Sequence, residues 1–448
     1  MTDINELTEG DLFKGLIAVA LPIVLSNLLQ SVLEMVDLYF VGRLGADAIA
    51  GVAMAMTFIF VLATFIIGLA TALTAFIARH YGAGEYEKIG IVLEHGLVIG
   101  GILSLLLAVF GFLFARPFLL LIGAGPHVAA LGGAYLTVLC IGIFTMIESW
   151  MIISSFQACG NSRTPMLIMV MVNVLNIALN PLLIFGWKMI PAFGVAGSAL
   201  ATILSRGFGL FVFLWILNRP SSPIEMARIG KIDLSLIRRI LLIGIPDSIQ
   251  AGLRSSTFLV MMAVVAAYGT AAVSGYGIAN RLELVALMPG FAIATATAVI
   301  VGQNLGAGQP DRAARGVKLS LILYGAIMAA VSLIYTVFAP QLIGFFDPTM
   351  ESEAAGVSYF RSVAPFYIVL GSAVVLSFAL NGAGDTRKPM YATLFAMVLL
   401  QIPLALILPG LLGIGIYGVW LAMITGIVVQ AGLLAWMFAG GGWKKVTL

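Results

Sequence analysis

The chain of 448 residues has little charge: Asp, Glu, Lys and Arg make up 10% of it, whereas 61% of its residues are hydrophobic. Its mean hydropathy is +1.10, so most of its surface must face hydrocarbon rather than water. The net charge of +3 is spread between apolar blocks and forms no basic patch, which argues against nucleic acid as a partner. The expected surroundings are a lipid bilayer.

Residue types that carry out enzyme chemistry are also scarce. The sequence has two cysteines and three histidines, and it has no HExxH, GxxxxGK[ST] or GxSxG motif. Cys140 and Cys159 fall on one predicted helix, about 28 Å apart at about 1.5 Å per residue, which is too far for a disulfide. The sequence therefore predicts no metal site, no cofactor and no enzyme activity.

Hydrophobic runs follow one another along the chain, each long enough to cross a bilayer as a helix of about 20 residues. They cover residues 15–42, 48–78, 96–115, 128–158, 164–187, 189–217, 240–268, 270–302, 319–346, 357–384, 389–409 and 411–438. We therefore expect an all-α polytopic membrane protein with twelve transmembrane helices.

Basic residues are distributed unequally between the two sides of these helices. If the two termini and the loops after even-numbered helices share one side, that side has 16 Lys and Arg residues and the other side has four. Because basic loops stay in the cytoplasm, both termini are expected to be cytoplasmic, in the inner membrane of a prokaryote.

The sequence contains an internal duplication. At an offset of 224, LGADAIAGVAMA (44–55) aligns with YGTAAVSGYGIA (268–279), HYGAGEYEK (80–88) with NLGAGQPDR (304–312), and GNSRTPM (160–166) with GDTRKPM (384–390). Each copy has six helices, an even number, so the repeats are parallel and related by an axis along the membrane normal. We expect an N-lobe (1–217, helices 1–6), a cytoplasmic linker (218–235) and a C-lobe (236–448, helices 7–12) around a central cavity, an architecture that suits alternating access.

A polar stripe interrupts the first apolar helix. Its members recur at spacings of 3, 4 and 3 and so share one helical face: Asn27, Gln30, Glu34 and Asp37. Carboxylates within a membrane are costly and usually face a bundle interior or a wet cavity. Two of them one turn apart cannot readily both be ionised in low dielectric, so one of them can carry a proton. The alternative is that Asp37 lies at the outer interface, solvated and inert.

Helix 5 carries a second stripe, in which Asn173, Asn176 and Asn180 are spaced by 3 and 4 residues. Such amides can line a polar site or bind a cation through their carbonyl oxygens. Equally, they can hydrogen-bond neighbouring helices without any further role.

The C-terminal copy differs at these positions, because the offset places Met261 at Asp37 and Arg254 at Gln30. Arg254 can pair with Asp247 or with Glu283 to give a neutralised buried pair. Alternatively, Arg254 and Glu283 line a substrate cavity together with Asn27, Gln30 and Asn173. Pro22 and Pro246 interrupt matching helices, as hinges or as fixed kinks.

Four groups of motifs carry a family resemblance: LPIVLSNLLQSVLEMVDLYFVGRLGADAIAGVAMA, the GAG loops, QACGNSRTPM with NGAGDTRKPM, and NPLLIFG with GVAGSALAT. Together they resemble the multidrug and toxic compound extrusion family, specifically its archaeal and DNA-damage-inducible branch. The resemblance implies a two-lobed antiporter, expected as a monomer, that exports organic, cationic or lipophilic compounds against entering H⁺ or Na⁺. It assigns the key acid of helix 1 to Asp37 and adds Thr202 of helix 6 to the same site.

One departure from that family affects the coupling ion. Asn176 matches a family asparagine, but Asn180 stands where the family often has an aspartate, so a Na⁺ site would lose a charged ligand and H⁺ is favoured over Na⁺. A lipid or lipid-linked precursor flippase is the alternative function, although only Arg206, Arg254 and Arg281 lie within helices to bind its phosphates.

Overall fold

The structure is a computed structural model that describes residues 7–220, 222–226, 232–347 and 349–448, without the side chain of residue 61. Over these residues the regular elements are helices, and the only strand-like pairing is an isolated bridge between Trp187 and Ile190. Part of the predicted linker, residues 221 and 227–231, lies outside the described residues, as do residues 1–6. The linker therefore stays a prediction.

Seven helices make up the first half of the chain. They are α1 (Leu12–Gly42), α2 (Ala46–Gly82), α3 (Tyr86–Leu121), α4 (Pro126–Ile141), α5 (Ile143–Ala158), α6 (Arg163–Phe185) and α7 (Val195–Leu217). The long helices are α1 to α3, with 31 to 37 residues each, which at about 1.5 Å per residue is more than enough to cross about 30 Å of hydrocarbon.

The second half follows the same order with more interruptions. Its helices are α8 (Leu234–Ala266), α9 (Thr270–Gly306), α10 (Pro310–Val337), α11 (Ala339–Gly344), α12 (Met350–Val363), α13 (Tyr367–Gly382), α14 (Arg387–Thr393), α15 (Ile402–Leu412) and α16 (Ile416–Ala439). A short 3₁₀ turn at Ala364–Phe366 joins α12 to α13, and a π-helical stretch at Leu394–Gln401 joins α14 to α15. Each joined pair is one membrane-length segment.

Within the described residues, eleven helical segments are long and apolar enough to cross a membrane, and a twelfth is the pair α4 and α5, bent by 51°. The bend occurs at Gly142, where a Cβ would overlap the side chain of Ile203 on α7. Because glycine has no side chain, α7 can pack into the break between α4 and α5. The prediction of an all-α polytopic membrane protein is confirmed.

The sequence repeat has a matching backbone geometry. Gly45 and Gly269 precede α2 and α9 with φ of 113° and 102°, and Gly84 and Gly308 lie in the next loops with φ of 73° and 70°. These angles strongly favour glycine. The two GAG loops also close with the same hydrogen bonds, such as residue 85 N–H to residue 80 C=O at 2.9 Å and residue 309 N–H to residue 304 C=O at 2.7 Å.

The described residues form two compact units. One unit contains residues 21–242, and the other contains residues 243–448 together with residues 7–20. From here on, N-lobe and C-lobe mean these two observed units and not the ranges predicted from the sequence. The divisions fall inside α1 and α8, shortly before Pro22 and Pro246. The first turns of each repeat's first helix thus belong to the unit formed mainly by the other repeat.

Both exchanged segments are fixed by hydrogen bonds within the unit that they join. In the C-lobe, the carbonyl of Leu7 accepts from the side chains of Asn304 at 3.1 Å and Arg312 at 3.3 Å. In the N-lobe, the backbone N–H of Asp233 donates to His95 Nε2 at 2.9 Å. Asp11 and Asp233 cap α1 and α8 in the same way, each accepting from N–H groups two and three residues later.

Candidate functional site

The predicted carboxylate of α1 lies against α6 and α7 inside the N-lobe. Asp37 accepts hydrogen bonds from Asn180 Nδ2 at 2.6 Å and from Thr202 Oγ1 at 3.2 Å. Asn180 Nδ2 also donates to Asn176 Oδ1 at 2.7 Å, and Asn176 Nδ2 lies 3.5 Å from Thr202 Oγ1. The structure therefore brings Asp37, Asn176, Asn180 and Thr202 into one cluster, called the Asp37 site below.

The hairpin between α6 and α7 positions the amides and the hydroxyl. The chain reverses through residues 186–194, and the N–H groups of Phe193 and Gly194 bond to the carbonyls of Leu183 and Ile184 at 3.0 and 3.1 Å. A Cβ at Gly197 would overlap the backbone of Leu183, so a glycine there allows the two helices to approach closely. Asn180 and Thr202 thereby face Asp37 from the two helices of one closely packed hairpin.

Burial makes this cluster an interior site. Asn176 and Asn180 have no exposed surface and Thr202 is 8% exposed, while Asp37 is half-buried. Asn180 Oδ1 is buried and has no hydrogen-bond partner among the described residues. A buried carbonyl oxygen beside a carboxylate can accept from a protonated group or contact a cation.

A second hydrogen-bonded group lies on α1 nearer its N-terminal end. Gln30 Nε2 donates to Glu34 Oε1 at 2.9 Å, and Gln30 Oε1 accepts from Arg206 Nη2 at 2.9 Å. Arg206 lies four residues after Thr202, on the same face of α7, and acts electrostatically on Asp37 and Glu34. Glu34 itself is exposed, one turn from Asp37 on the same face.

Four residues of the predicted stripes lie outside the Asp37 site: Gln30 and Glu34 form the group with Arg206, and the other two are Asn27 and Asn173. Asn173 Nδ2 donates to the Met169 carbonyl of its own helix at 2.8 Å, and its Oδ1 is buried without a partner among the described residues. The hydrogen bonds that define the cluster do not include the side chain of Asn27. The substrate-cavity role of both residues stays a prediction.

In the C-lobe, Glu283 is bonded by tyrosines. Its carboxylate accepts from Tyr359 Oη of α12 and from Tyr367 Oη of α13, the latter at 3.1 Å. Tyr335 Oη of α10 donates to the neighbouring carbonyl of Leu282 at 2.8 Å. Glu283 therefore interacts with phenols, and Arg254 belongs to a different group of residues.

That second group surrounds Asp247 and Arg254 on α8. Asn381 Nδ2 donates to Asp247 Oδ1 at 2.8 Å, and Arg254 acts electrostatically on Asp247. With the Gln250 amide oriented to suit its neighbours, its nitrogen donates to Asp247 at 3.1 Å and its oxygen accepts from Arg254 Nη2 at 3.1 Å. Of the two predicted partners for Arg254, the structure places it with Asp247.

Several residues that contact the candidate site residues were not assigned to these clusters from the sequence. Arg206 shares the face of Thr202, so helical spacing from Thr202 would have identified it. The offset of 224 places Gln430 on Arg206, and Gln430 donates to Thr393 Oγ1 at 2.9 Å beside Gln250. Tyr359 and Tyr367 carried no such signal, since they lie 76 and 84 residues from Glu283.

Apolar helices of membrane length that enclose clusters of carboxylate, amide and hydroxyl groups define a polytopic membrane protein, and intramembrane carboxylates of this kind are typical of transporters. The chain belongs to the MatE family, whose model matches residues 22–182 and 248–407. The two matched segments lie one in each sequence repeat.

Relatives in bacteria match over nearly the whole chain. The probable multidrug resistance protein NorM of Bradyrhizobium diazoefficiens is 30% identical, over 96% of this chain and 93% of the relative. The probable multidrug resistance protein YoeA of Bacillus subtilis is 28% identical, over 95% of this chain and 92% of the relative. The FAD transporter of Shewanella oneidensis is 26% identical, over 90% of each. The chain is thus a membrane transporter and not an enzyme.

Solved structures show the same fold. An outward-facing multidrug resistance MATE family transporter of the MOP superfamily superposes with a TM-score of 0.90 at 23% identity, with 100% of both chains covered. A MOP superfamily transporter from Pyrococcus furiosus, described as having a binding pocket of reverse polarity, gives the same TM-score, identity and coverage.

Proposed function

We propose that the protein is a secondary antiporter that exports organic compounds, cationic or lipophilic in character, in exchange for H⁺, with Na⁺ as the alternative coupling ion. The observation that carries this proposal is the Asp37 site. A carboxylate of α1 is held there by an amide and a hydroxyl of the α6–α7 hairpin, next to a buried amide oxygen that has no partner among the described residues.

The chemistry of this site suits reversible cation uptake. Asp37 receives two donors, which stabilise its ionised form, and burial of its surroundings favours neutralisation by a bound cation. A group that binds its cation differently in two conformations couples ion entry to substrate exit, because the cation then shifts the balance between those conformations. The proposal includes alternating access between lobes.

The relatives support the substrate class by name, since several are multidrug resistance proteins. They are bacterial, which agrees with a prokaryotic membrane, and we propose that both termini face the cytoplasm as the distribution of basic residues indicates. One relative is named an FAD transporter, so the substrates tested should include FAD as well as lipophilic organic cations.

The test is export by the purified protein in proteoliposomes under an imposed pH gradient or an imposed Na⁺ gradient. Asp37→Asn keeps the size of the side chain and removes its charge, so the variant should fold but lose gradient-driven export. Met261→Ala, at the repeat-equivalent position, is the control and should export like the parent. Export by Asp37→Asn at the parental rate would contradict the proposal and move attention to Glu34 or Glu283.

A further inference from the structure

Arg206 places a permanent positive charge beside the Asp37 site. Its side chain is 7% exposed, and its Nε is buried without a hydrogen-bond partner among the described residues. A guanidinium stays protonated in proteins, and burying one is costly unless nearby charge compensates it. The titratable groups that act electrostatically on it are Asp37 and Glu34 of α1 and the phenol of Tyr135 on α4.

The guanidinium is held near the carboxylates through an intermediate amide. Gln30 accepts from Arg206 with its oxygen and donates to Glu34 with its nitrogen, each at 2.9 Å. Two such hydrogen bonds across one amide place Arg206 and Glu34 at most about 8 Å apart. No ion pair within 4.0 Å joins Arg206 to a carboxylate among the described residues. Both oxygens of Asp37 therefore stay with the donors of α6 and α7.

The arginine changes the charge count of the site. When Asp37 and Glu34 are both without a proton they carry −2, and Arg206 reduces this to −1, so binding of one monovalent cation is enough to neutralise the three side chains together. Without the arginine the same side chains would need two positive charges. The duplication repeats this composition: Gln30 aligns with Arg254 and Arg206 with Gln430, so each repeat has one arginine and one glutamine at these two positions.

A fixed positive charge affects H⁺ and Na⁺ differently in practice. It lowers the affinity of the site for any cation, but a proton forms a covalent O–H bond with a carboxylate. Na⁺ instead depends on several oxygen ligands and on net negative charge. Here Asn180 presents its nitrogen to Asp37, and Asn176 Oδ1 already accepts from Asn180. Asn180 Oδ1 is the amide oxygen of the site left without a partner among the described residues. One neutral oxygen beside the carboxylate is fewer than the several ligands that Na⁺ requires, so these side chains favour the proton.

We propose that Arg206 is the residue that determines ion specificity. Its charge limits the Asp37 site to one monovalent cation per cycle and prevents Na⁺ from serving as that cation. This inference rests on the proposed antiport function and adds a role for a residue outside the predicted site.

The test compares parent, Arg206→Gln and Arg206→Lys in proteoliposomes, with export driven by a pH gradient or by a Na⁺ gradient, and with Na⁺ binding measured on the same purified proteins. The parent should export only with the pH gradient. For a Na⁺ ion taken to lie about 8 Å from the guanidinium, in an effective dielectric constant of about 20, removing the charge should tighten Na⁺ binding about 30-fold. Arg206→Gln should therefore gain Na⁺-driven export, and Arg206→Lys should behave like the parent.

A second variant covers the case in which Arg206→Gln does not fold. Asn180→Asp adds one negative charge while Arg206 remains, so it should produce the same gain of Na⁺ binding. Arg116→Gln removes an equal charge from an exposed position on α3 and is the matched control.

Three results would overturn the inference. The first is Na⁺-driven export by the parent, and the second is that folded Arg206→Gln or Asn180→Asp gains neither Na⁺ binding nor Na⁺-driven export. The third is loss of FAD export in Arg206→Gln while the preference for H⁺ over Na⁺ stays unchanged. The last would make Arg206 a ligand for an anionic substrate. The first two leave the proposed antiport function intact, whereas that function fails only through export by Asp37→Asn.

Discussion

Glu148 on α5 should lower the stability of the folded protein. The residue is 3% exposed, and both of its carboxyl oxygens are buried without a hydrogen-bond partner among the described residues. It fits between α5 and α3 because Gly100 has no side chain: a Cβ there would lie 2.9 Å from Glu148 Oε1. Burying a polar group without a partner costs about 1–3 kcal/mol in proteins.

Replacing this side chain with an apolar one of similar length should recover that cost. We expect Glu148→Met to raise the free energy of unfolding by about 1–3 kcal/mol, since methionine adapts its shape to irregular gaps. Glu148→Gln keeps an unpartnered polar group and should stay within about 1 kcal/mol of the parent. Denaturant titration of the purified protein, followed by tryptophan fluorescence, measures both changes as shifts in midpoint at constant slope.

The repeat provides a matched control at Ser372, which aligns with Glu148. Its Oγ already donates to the Val369 carbonyl of its own helix at 2.7 Å, so Ser372→Ala should change stability little. A Glu148→Met protein that is less stable than the parent by about 1 kcal/mol or more would refute the reasoning, because it would mean that the carboxyl has a favourable partner.

Two further predictions concern the C-lobe. Gly290→Ala should destabilise by about 1–3 kcal/mol in the same titration, because its Cβ would overlap the ring of Tyr324. Gly325→Ala has open space around its Cβ and should not destabilise; equal effects of the two substitutions would contradict the packing argument. Hydrogen bonds from Thr349, then Ser274 and Ser352, hold the pKa of the Asp347 carboxyl at about 2, below its ordinary value of 3.8. Stability from this group is present above that ordinary value and is lost as the pH falls toward 2, so between about pH 5 and about pH 3 Asp347→Asn should lose less thermal stability than the parent.

The helices and most residues of the Asp37 site could be predicted from the sequence because their signals are local or periodic. Length and apolar composition mark the spans, and spacings of three and four residues place Asp37, Asn176 and Asn180 on helix faces. The pairing of those faces came only with the resemblance, which added Thr202. The structure supplied the remaining condition, the close approach of α6 and α7 at Gly197.

The remainder depends on contacts that no local pattern encodes. Asn173 continues the asparagine stripe, yet its amide bonds to its own helix. Glu283 meets tyrosines that precede and follow the 3₁₀ turn between α12 and α13, a junction that hydropathy does not reveal. Arg206 could have been found from Thr202, but its link to Glu34 requires Gln30 to bridge them.

The exchange of the first turns of α1 and α8 has an evolutionary consequence. Residues 7–20 belong with the second repeat, and residues 234–242 belong with the first. This reciprocal arrangement is what two identical six-helix chains would produce if each passed its opening segment to its neighbour, as in a domain-swapped homodimer. Gene fusion of such a pair would have made the swap permanent. Each half of the present chain then depends on the other, because the compact unit that it mainly forms also contains the first turns of the other half's first helix.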